Sequence, residues 1–316
     1  MNTQVNDRLS SLRILVVGDT MLDRYWIGDV TRVSPEAPVP VVNVVDVKEC
    51  PGGAGNVAAN VASLGPRCEL LSFIGDDDAG RRLNQLLESA GVDRHLHIDA
   101  NGRTTEKLRI VSRNQQLVRA DFESRPTAEL LAQSVADYRD ISRGVDSIVI
   151  SDYGKGGLTH IEEMIQVAKD QQTPVIVDPK GVDYSRYRGA TLVTPNRDEF
   201  ALATGVAPGD PAFFETAHEL VRSAQLSGLL VTRGEEGMTL FLATGEVLHQ
   251  DAVAREVFDV SGAGDTVVAT IAVGVAAGLS WADCIEWATL GASAVVSRFG
   301  TSVVQKSDLN LTVLGD

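Results

Sequence analysis

Short, nearly continuous apolar runs recur along this chain between longer segments of mixed character. The first is Leu12-Arg13-Ile14-Leu15-Val16-Val17. A run that is apolar at almost every position predicts a strand covered on both faces of a sheet. Glu69–Ile74, Ser147–Ile150, Val175–Val177, Leu192–Val193 and Gly228–Val231 read the same way. Helices are expected from Val57 to Leu64, from Ala79 to Ala90, from Ile161, from Asp198 and from Trp281 to Arg298. Strands alternating with helices signal βαβ units and a parallel sheet. Gly237–Leu242 continues as an antiparallel edge, and the uncharged run Thr266–Leu279 as a buried helix.

Two stretches break this rhythm. Residues 24–50 carry Pro35, Pro38 and Pro40, then Val39 to Val47 with no helical period. Proline cannot donate to a central ladder, so an extended edge segment is expected there. Residues 104–113 and 116–122 read as a second extended pair around Asn114-Gln115. The pattern as a whole predicts a single α/β domain over 1–316, with a lid inserted as segments of about 24–50 and 95–122.

Composition narrows the partners. Lys+Arg number 28 against 43 Asp+Glu, a formal charge of −15. A surface that acidic argues against nucleic acid or an anionic membrane. An anionic substrate must then be met by basic residues placed locally. Cys50, Cys68 and Cys284 form no Cys-x-x-Cys pattern, so neither a disulfide framework nor a zinc site is expected. The N-terminus lacks the apolar core of a signal peptide. Thr266–Leu279 is shorter than the roughly 20 residues a membrane helix needs. A cytoplasmic protein is expected.

The chemistry gathers on Asp259-Val260-Ser261-Gly262-Ala263-Gly264-Asp265, at the head of the buried helix. Gly262 and Gly264 allow a sharp turn and close approach to a ligand, while the first helical amides form a ready anion site. A carboxylate beside an anion site suits a base that deprotonates an attacking hydroxyl. A glycine turn with an early helical acid explains these seven residues equally well on their own.

The rest of the chain shifts that balance. Asp19 and Asp23 follow the first strand, where open α/β sheets place ligands. Gly52, Gly53 and Asn56 open the small-residue helix. Successive strands end in polar tips: Ser151-Asp152-Tyr153-Gly154-Lys155, Asp178-Pro179-Lys180-Gly181 and Thr194-Pro195-Asn196-Arg197-Asp198-Glu199. Asn196 and Glu199 at a helix start could face a phosphate-bound magnesium, although a capping box competes for Glu199. Lys107, Arg109, Arg113 and Arg119 fall at alternating positions, which predicts a basic stripe on one face.

Three motifs in order carry a resemblance. Asp-x-x-Gly-Ala-Gly-Asp near the C-terminus, Gly-Gly-Ala-x-Asn-Val-Ala in the first third and Asn-x-x-Glu between them resemble the ribokinase/PfkB family of carbohydrate kinases over about residues 12 to 305. The resemblance implies a doubly wound α/β fold, a mainly parallel sheet flanked by helices, with a small β-sheet lid. It implies ATP and Mg²⁺, with Asp265 as catalytic base and Gly262, Ala263 and Gly264 in the anion hole. Asn196, Arg197, Asp198 and Glu199 would organise ATP and magnesium, the last through water. Thr232-Arg233-Gly234 looks like the nucleotide loop. Asp19, Asp23, Gly52, Gly53 and Asn56 would hold the sugar. The family's habit also implies a K⁺ site near Asp259, Ser261 and Ser297–Ser302. Val260-Ser261 departs from the family's commoner Asp-Thr-x-Gly, without removing a small residue the loop needs.

Asp19–Trp26, Arg32–Pro40, Ser151–Gly156 and Asp178–Gly181 are further similar to the branch of the family acting on a heptose 7-phosphate. At 316 residues, the stand-alone kinase of that branch is expected. Candidates for reading the sugar phosphate are Lys155, Lys180, Arg32, Lys107 and Arg109, and a homodimer through the lid is expected. Two rivals stay open: a family kinase acting on an unphosphorylated sugar or nucleoside, and a non-catalytic binding protein on the same fold.

Overall fold

The computed structural model describes residues 3–113, 115–253, 256–298 and 300–314. Asn114 of the expected lid turn and Phe299 of the expected K⁺ segment lie outside them. The elements run α1 (Thr3–Ser11), β1 (Arg13–Gly18), β2 (Thr20–Val33), β3 (Pro40–Gly53), α2 (Ala54–Ser63), β4 (Arg67–Gly75), α3 (Asp78–Ser89) and β5 (Asp93–Asp99). Then come β6 (Glu106–Ser112), β7 (Gln115–Phe122), α4 (Ala128–Ile141), β8 (Ser147–Ser151), α5 (Ile161–Asp170), β9 (Val175–Asp178) and β10 (Leu192–Val193). The chain finishes with α6 (Arg197–Thr204), α7 (Phe213–Ser223), β11 (Gly228–Thr232), β12 (Met238–Leu242), β13 (Val247–Gln250), α8 (Ala263–Ala276) and α9 (Trp281–Val296).

Nine strands form the main sheet in the order β13-β12-β11-β10-β9-β8-β1-β4-β5. From β5 to β11 neighbouring strands are parallel, and β12 and β13 add an antiparallel margin. Alternate residues of β1 feed two cores: Ile14 and Val16 face one, Leu15 and Val17 the other. Helices therefore cover both faces, as a fully apolar strand requires. Each large apolar side chain buried this way contributes roughly 1.5–3 kcal/mol. The chain order reverses between β1 and β8, and the crevice outside the strand ends at such a switch point is where open α/β sheets bind ligands.

The lid is a separate four-stranded sheet, β3-β2-β6-β7. Its bounds differ from the expected ones. Residues 93–99 are β5, paired in parallel with β4 at the edge of the main sheet, so the second lid segment begins only at Glu106. The first segment is longer than expected, since β2 starts at Thr20 and β3 ends at Gly53. Asp23 is consequently a lid-strand residue rather than part of a loop. Among the described residues, no helix is long and apolar enough to cross a membrane.

Candidate active site

The α8 helix runs under the sheet with its N-terminus at the crevice, and its side chains from Asp265 to Gly274 are buried. Gly262 caps it with φ 80°. That left-handed backbone favours glycine, and a Cβ there would meet Asn56 Nδ2 at 2.7 Å. The Ala263 amide returns to the Val260 carbonyl, which leaves those of Gly264 and Asp265 as first-turn donors facing forward. Space beside Gly264 is open. Forward-facing amides beside open space are the geometry an anion hole needs.

Asp265 is 3% exposed, and both its carboxylate oxygens are held. Asn56 Nδ2 donates to Oδ2 at 2.7 Å, and the Tyr153 hydroxyl donates to Oδ1 at 2.7 Å. Burial pushes the carboxyl up to about 6, while these two hydrogen bonds pull it back toward the ionised form. A carboxyl with that affinity for protons is mostly ionised at neutral pH and could still accept one readily.

Asn56 sits in the first turn of α2, and its side chain reaches across to α8. Asn60, one turn later, donates to the Asn56 side-chain oxygen at 3.2 Å and fixes which end of that amide faces Asp265. Asn60 Oδ1 in turn accepts from Val304 N at 2.8 Å and Thr266 Oγ1 at 3.2 Å.

Asp19, expected to hold the sugar, is bound to backbone in this structure. Its oxygens accept from the backbone amides of Tyr153 (3.2 Å), Lys155 (2.8 Å) and Gly157 (3.0 Å). Burial raises this carboxyl, and those amides oppose the shift. Its role in this geometry is to clamp the loop that carries Tyr153. Asp23 is ion-paired with Arg109, whose guanidinium lies 5.0 Å from the Tyr25 ring centroid. Gly52 lies against the Asp23 carboxylate, and the Gly53 φ of 56° lets the chain turn into α2.

Lys107, Arg109 and Arg119 do share one face of the lid, since Arg119 lies directly opposite Arg109 in the β6–β7 register. Lys107 and Arg109 face the crevice side with Asp23 and Tyr153. Arg119 is exposed and pairs with Asp121, and Arg113 lies past the end of β6. Lys107 forms no salt bridge among the described residues, although Asp23 and Asp121 are near enough to favour its charge. It rests 5.4 Å over the Tyr153 ring, and burial lowers its affinity for a proton. Lys155 pairs with Glu123, Lys180 with Glu199 at 3.0 Å. Arg32 is exposed near the far end of β2, well along the strand from Asp23.

A cavity of about 430 Å³ reaches Gly264 and is lined by Val257, Val260, Val267 and Val296, together with Thr232 and Gly234. Its shape and apolar lining suit a nucleobase. Arg233 and Arg197, expected on the nucleotide side, both pair their guanidinium groups with Glu236, and Arg233 also lies 5.7 Å from the Phe213 ring centroid. Asn196 and Glu199 do form a capping box around the start of α6, with Asp198 exposed in the first turn.

No group of three or more His, Cys, Asp or Glu among the described residues could hold a metal alone. Magnesium carried on ATP needs only one or two carboxylates and keeps much of its water. Glu199 fits that demand, with Asp178 beside it: burial and the nearby Asp265 and Glu199 hold the Asp178 carboxyl well above the usual carboxylate range. Motif reading placed Asp178 and Tyr153 in strand-end tips without giving either a role, and passed over Asn60. The available signals were an Asn four residues after Asn56 in an otherwise small, apolar helix, and an aromatic inside a strand-end tip.

The family model described as pfkB family carbohydrate kinase matches residues 11–307. The chain is 49% identical over 310 residues to the D-beta-D-heptose 7-phosphate kinase of Bordetella bronchiseptica, covering 98% of both. It is 48% identical over 307 residues to the Bifunctional protein HldE of Hydrogenovibrio crunogenus, covering 95% of this chain but only 62% of that protein. Phosphofructokinase-2 from Escherichia coli, solved in complex with substrates and products, superposes with a TM-score of 0.80 at 22% identity, covering 94% of this chain and 97% of that one. A putative ribokinase from Agrobacterium tumefaciens gives 0.74 at 20%, covering 94% and 96%. These two share the fold. With the family model matched over residues 11–307 and a relative 49% identical along almost the full length of both chains, the chain belongs to the pfkB family of carbohydrate kinases.

Proposed function

We propose that this chain transfers the γ-phosphoryl group of ATP to the anomeric hydroxyl of D-glycero-β-D-manno-heptose 7-phosphate, giving the 1,7-bisphosphate for ADP-heptose and lipopolysaccharide core synthesis. The observation that carries the chemistry is the buried Asp265 carboxylate at the N-terminus of α8, held by Asn56 and Tyr153. The relative from Bordetella, matched end to end, supports the choice of sugar. Asp265 takes the hydroxyl proton as the phosphoryl group moves onto the sugar oxygen and ADP leaves. The Gly264 and Asp265 amides meet the charge on the transferred group, and positioning with electrostatics supplies most of the catalysis in this reaction class. Magnesium on the nucleotide neutralises phosphate charge when bound.

The sugar lies between lid and sheet, with Asp23 and Arg109 on the lid side, and Lys107 takes its phosphate. A K⁺ ion near Asp259 and Ser261 would fix the shape of the anion-hole loop. The chain acts in the cytoplasm, where ATP is available. Two copies pair through their lids, because a row of apolar residues crosses all four strands: Val47, Trp26, Ile110 and Val118 are successive cross-strand partners. Val47 is 51% and Val118 55% exposed, an apolar surface that a second lid would cover.

The test is a coupled assay of ADP release across free and phosphorylated heptoses, with wild type and Asp265→Asn. Strong preference for the 7-phosphate, and loss of about 10²–10⁴ in turnover for the variant, are expected. Equal activity on free sugars would remove the phosphate specificity, and near-normal turnover would remove Asp265 as base.

A further inference from the structure

Tyr153 is joined to the site from four directions. Its hydroxyl donates to Asp265 Oδ1 at 2.7 Å, and its backbone amide donates to Asp19 Oδ2 at 3.2 Å. One side of its ring rests on Gly53, where an added Cβ would touch Cδ2 at 3.4 Å. Lys107 Nζ from the lid lies 5.4 Å from the ring centroid. A phenylalanine would fill the same space, so packing does not account for a hydroxyl aimed at a buried carboxylate.

The charged groups around Asp265 leave its ionisation poorly supported. Asp23 on β2 and Asp178 at the end of β9 both oppose it, and Lys107 on β6 favours it. No cation is paired directly with the carboxylate among the described residues. Two neutral donors therefore face the buried charge, Asn56 on Oδ2 and Tyr153 on Oδ1. Each oxygen keeps one further lone pair for an incoming hydroxyl.

We propose that Tyr153 is a positioning residue for the base: its hydroxyl keeps the Asp265 carboxylate ionised inside the closed site and fixes its orientation toward the sugar hydroxyl. This rests on the reading of Asp265 as base. Because a protonated base is inactive, loss of the donor raises the pH needed for activity, whereas a stronger donor lowers it.

The experiment follows kcat/KM for ATP and the phosphorylated heptose against pH, in wild type, Tyr153→Phe and protein carrying 3-fluorotyrosine at position 153. The Phe variant should move the acid limb up by about one pH unit, with the rate recovering in alkali. The more acidic fluorinated phenol should move it down. If the Phe variant does not fold, the fluorinated protein alone decides. A limb that stays in place overturns the proposal. Asp265→Asn assayed in parallel separates the two ideas: an inactive Asn variant with an unmoved limb sinks the role of Tyr153 alone, and an active one sinks the base itself.

Discussion

The Asn56 side chain donates to Asp265 Oδ2 at 2.7 Å across 209 residues of sequence, joining the start of α2 to the start of α8. Asn60 holds the Asn56 amide the right way round. Asn56→Leu keeps the size and removes the donor. A hydrogen bond to a charged group is worth about 1.5–3 kcal/mol, so kcat should fall about 10- to 150-fold while the KM for ATP holds. Steady-state kinetics checks this, and an unchanged kcat would detach Asn56 from the base.

Asp265 should cost the fold stability at the pH where it works. Its folded value of about 6 lies above the ordinary 3.8, so the folded state holds the proton more tightly than the unfolded chain does. The favourable contribution is complete below the unfolded value and is lost as pH rises through about 6. The ionised group then costs up to about 3 kcal/mol. Asp265→Asn removes the titration, and the Tyr153 hydroxyl can turn to accept from the new amide. The variant should melt above wild type at pH ~7.5, and that gap should close toward pH ~4.5. A gap independent of pH would contradict this.

Lys107 and Lys180 should separate by substrate. Lys107 forms no salt bridge among the described residues and lies over the Tyr153 ring, whereas Lys180 is paired with Glu199. Lys107→Met should raise the KM for the phosphorylated heptose about 10- to 150-fold and leave that for ATP alone. Lys180→Met should affect ATP first. Measuring both constants for both variants decides, and equal effects on both substrates would reject the assignment.

The lid row gives a prediction about assembly. Val47→Asp combined with Val118→Asp places charge in the proposed interface. Sedimentation at micromolar concentration should show a dimer for wild type and a monomer for the double variant. A fully active wild-type monomer would rule out pairing through the lid.

Potassium is the last prediction. The Phe258 and Asp259 amides both return to the Val296 carbonyl, so the loop before the anion hole is tied to the end of α9. An ion at that junction should raise kcat. Titrating K⁺ against a non-coordinating cation at constant ionic strength reads it, and a flat rate would remove the site.

The strands of the main sheet were legible because short apolar runs bounded by turn residues fit a strand covered on both faces, and β1, β4, β8 and β11 lie within a residue or two of their expected bounds. The glycines, Asn56 and Asp265 were legible as well, since they combine backbone need with chemistry inside short motifs. Sequence could not separate β5 from the lid, because a strand's own residues do not say which sheet its edge will join. Nor could it assign the charged groups. Asp19, Arg197 and Arg233 carry suitable charges at suitable places, yet their partners are backbone amides and Glu236. Tyr153 shows the converse: an aromatic without an expected role becomes a donor to the base only once β8 and α8 are brought together. Backbone periodicity is a local property that the chain writes directly, but a side chain's partner depends on which distant groups the fold leaves within hydrogen-bonding reach.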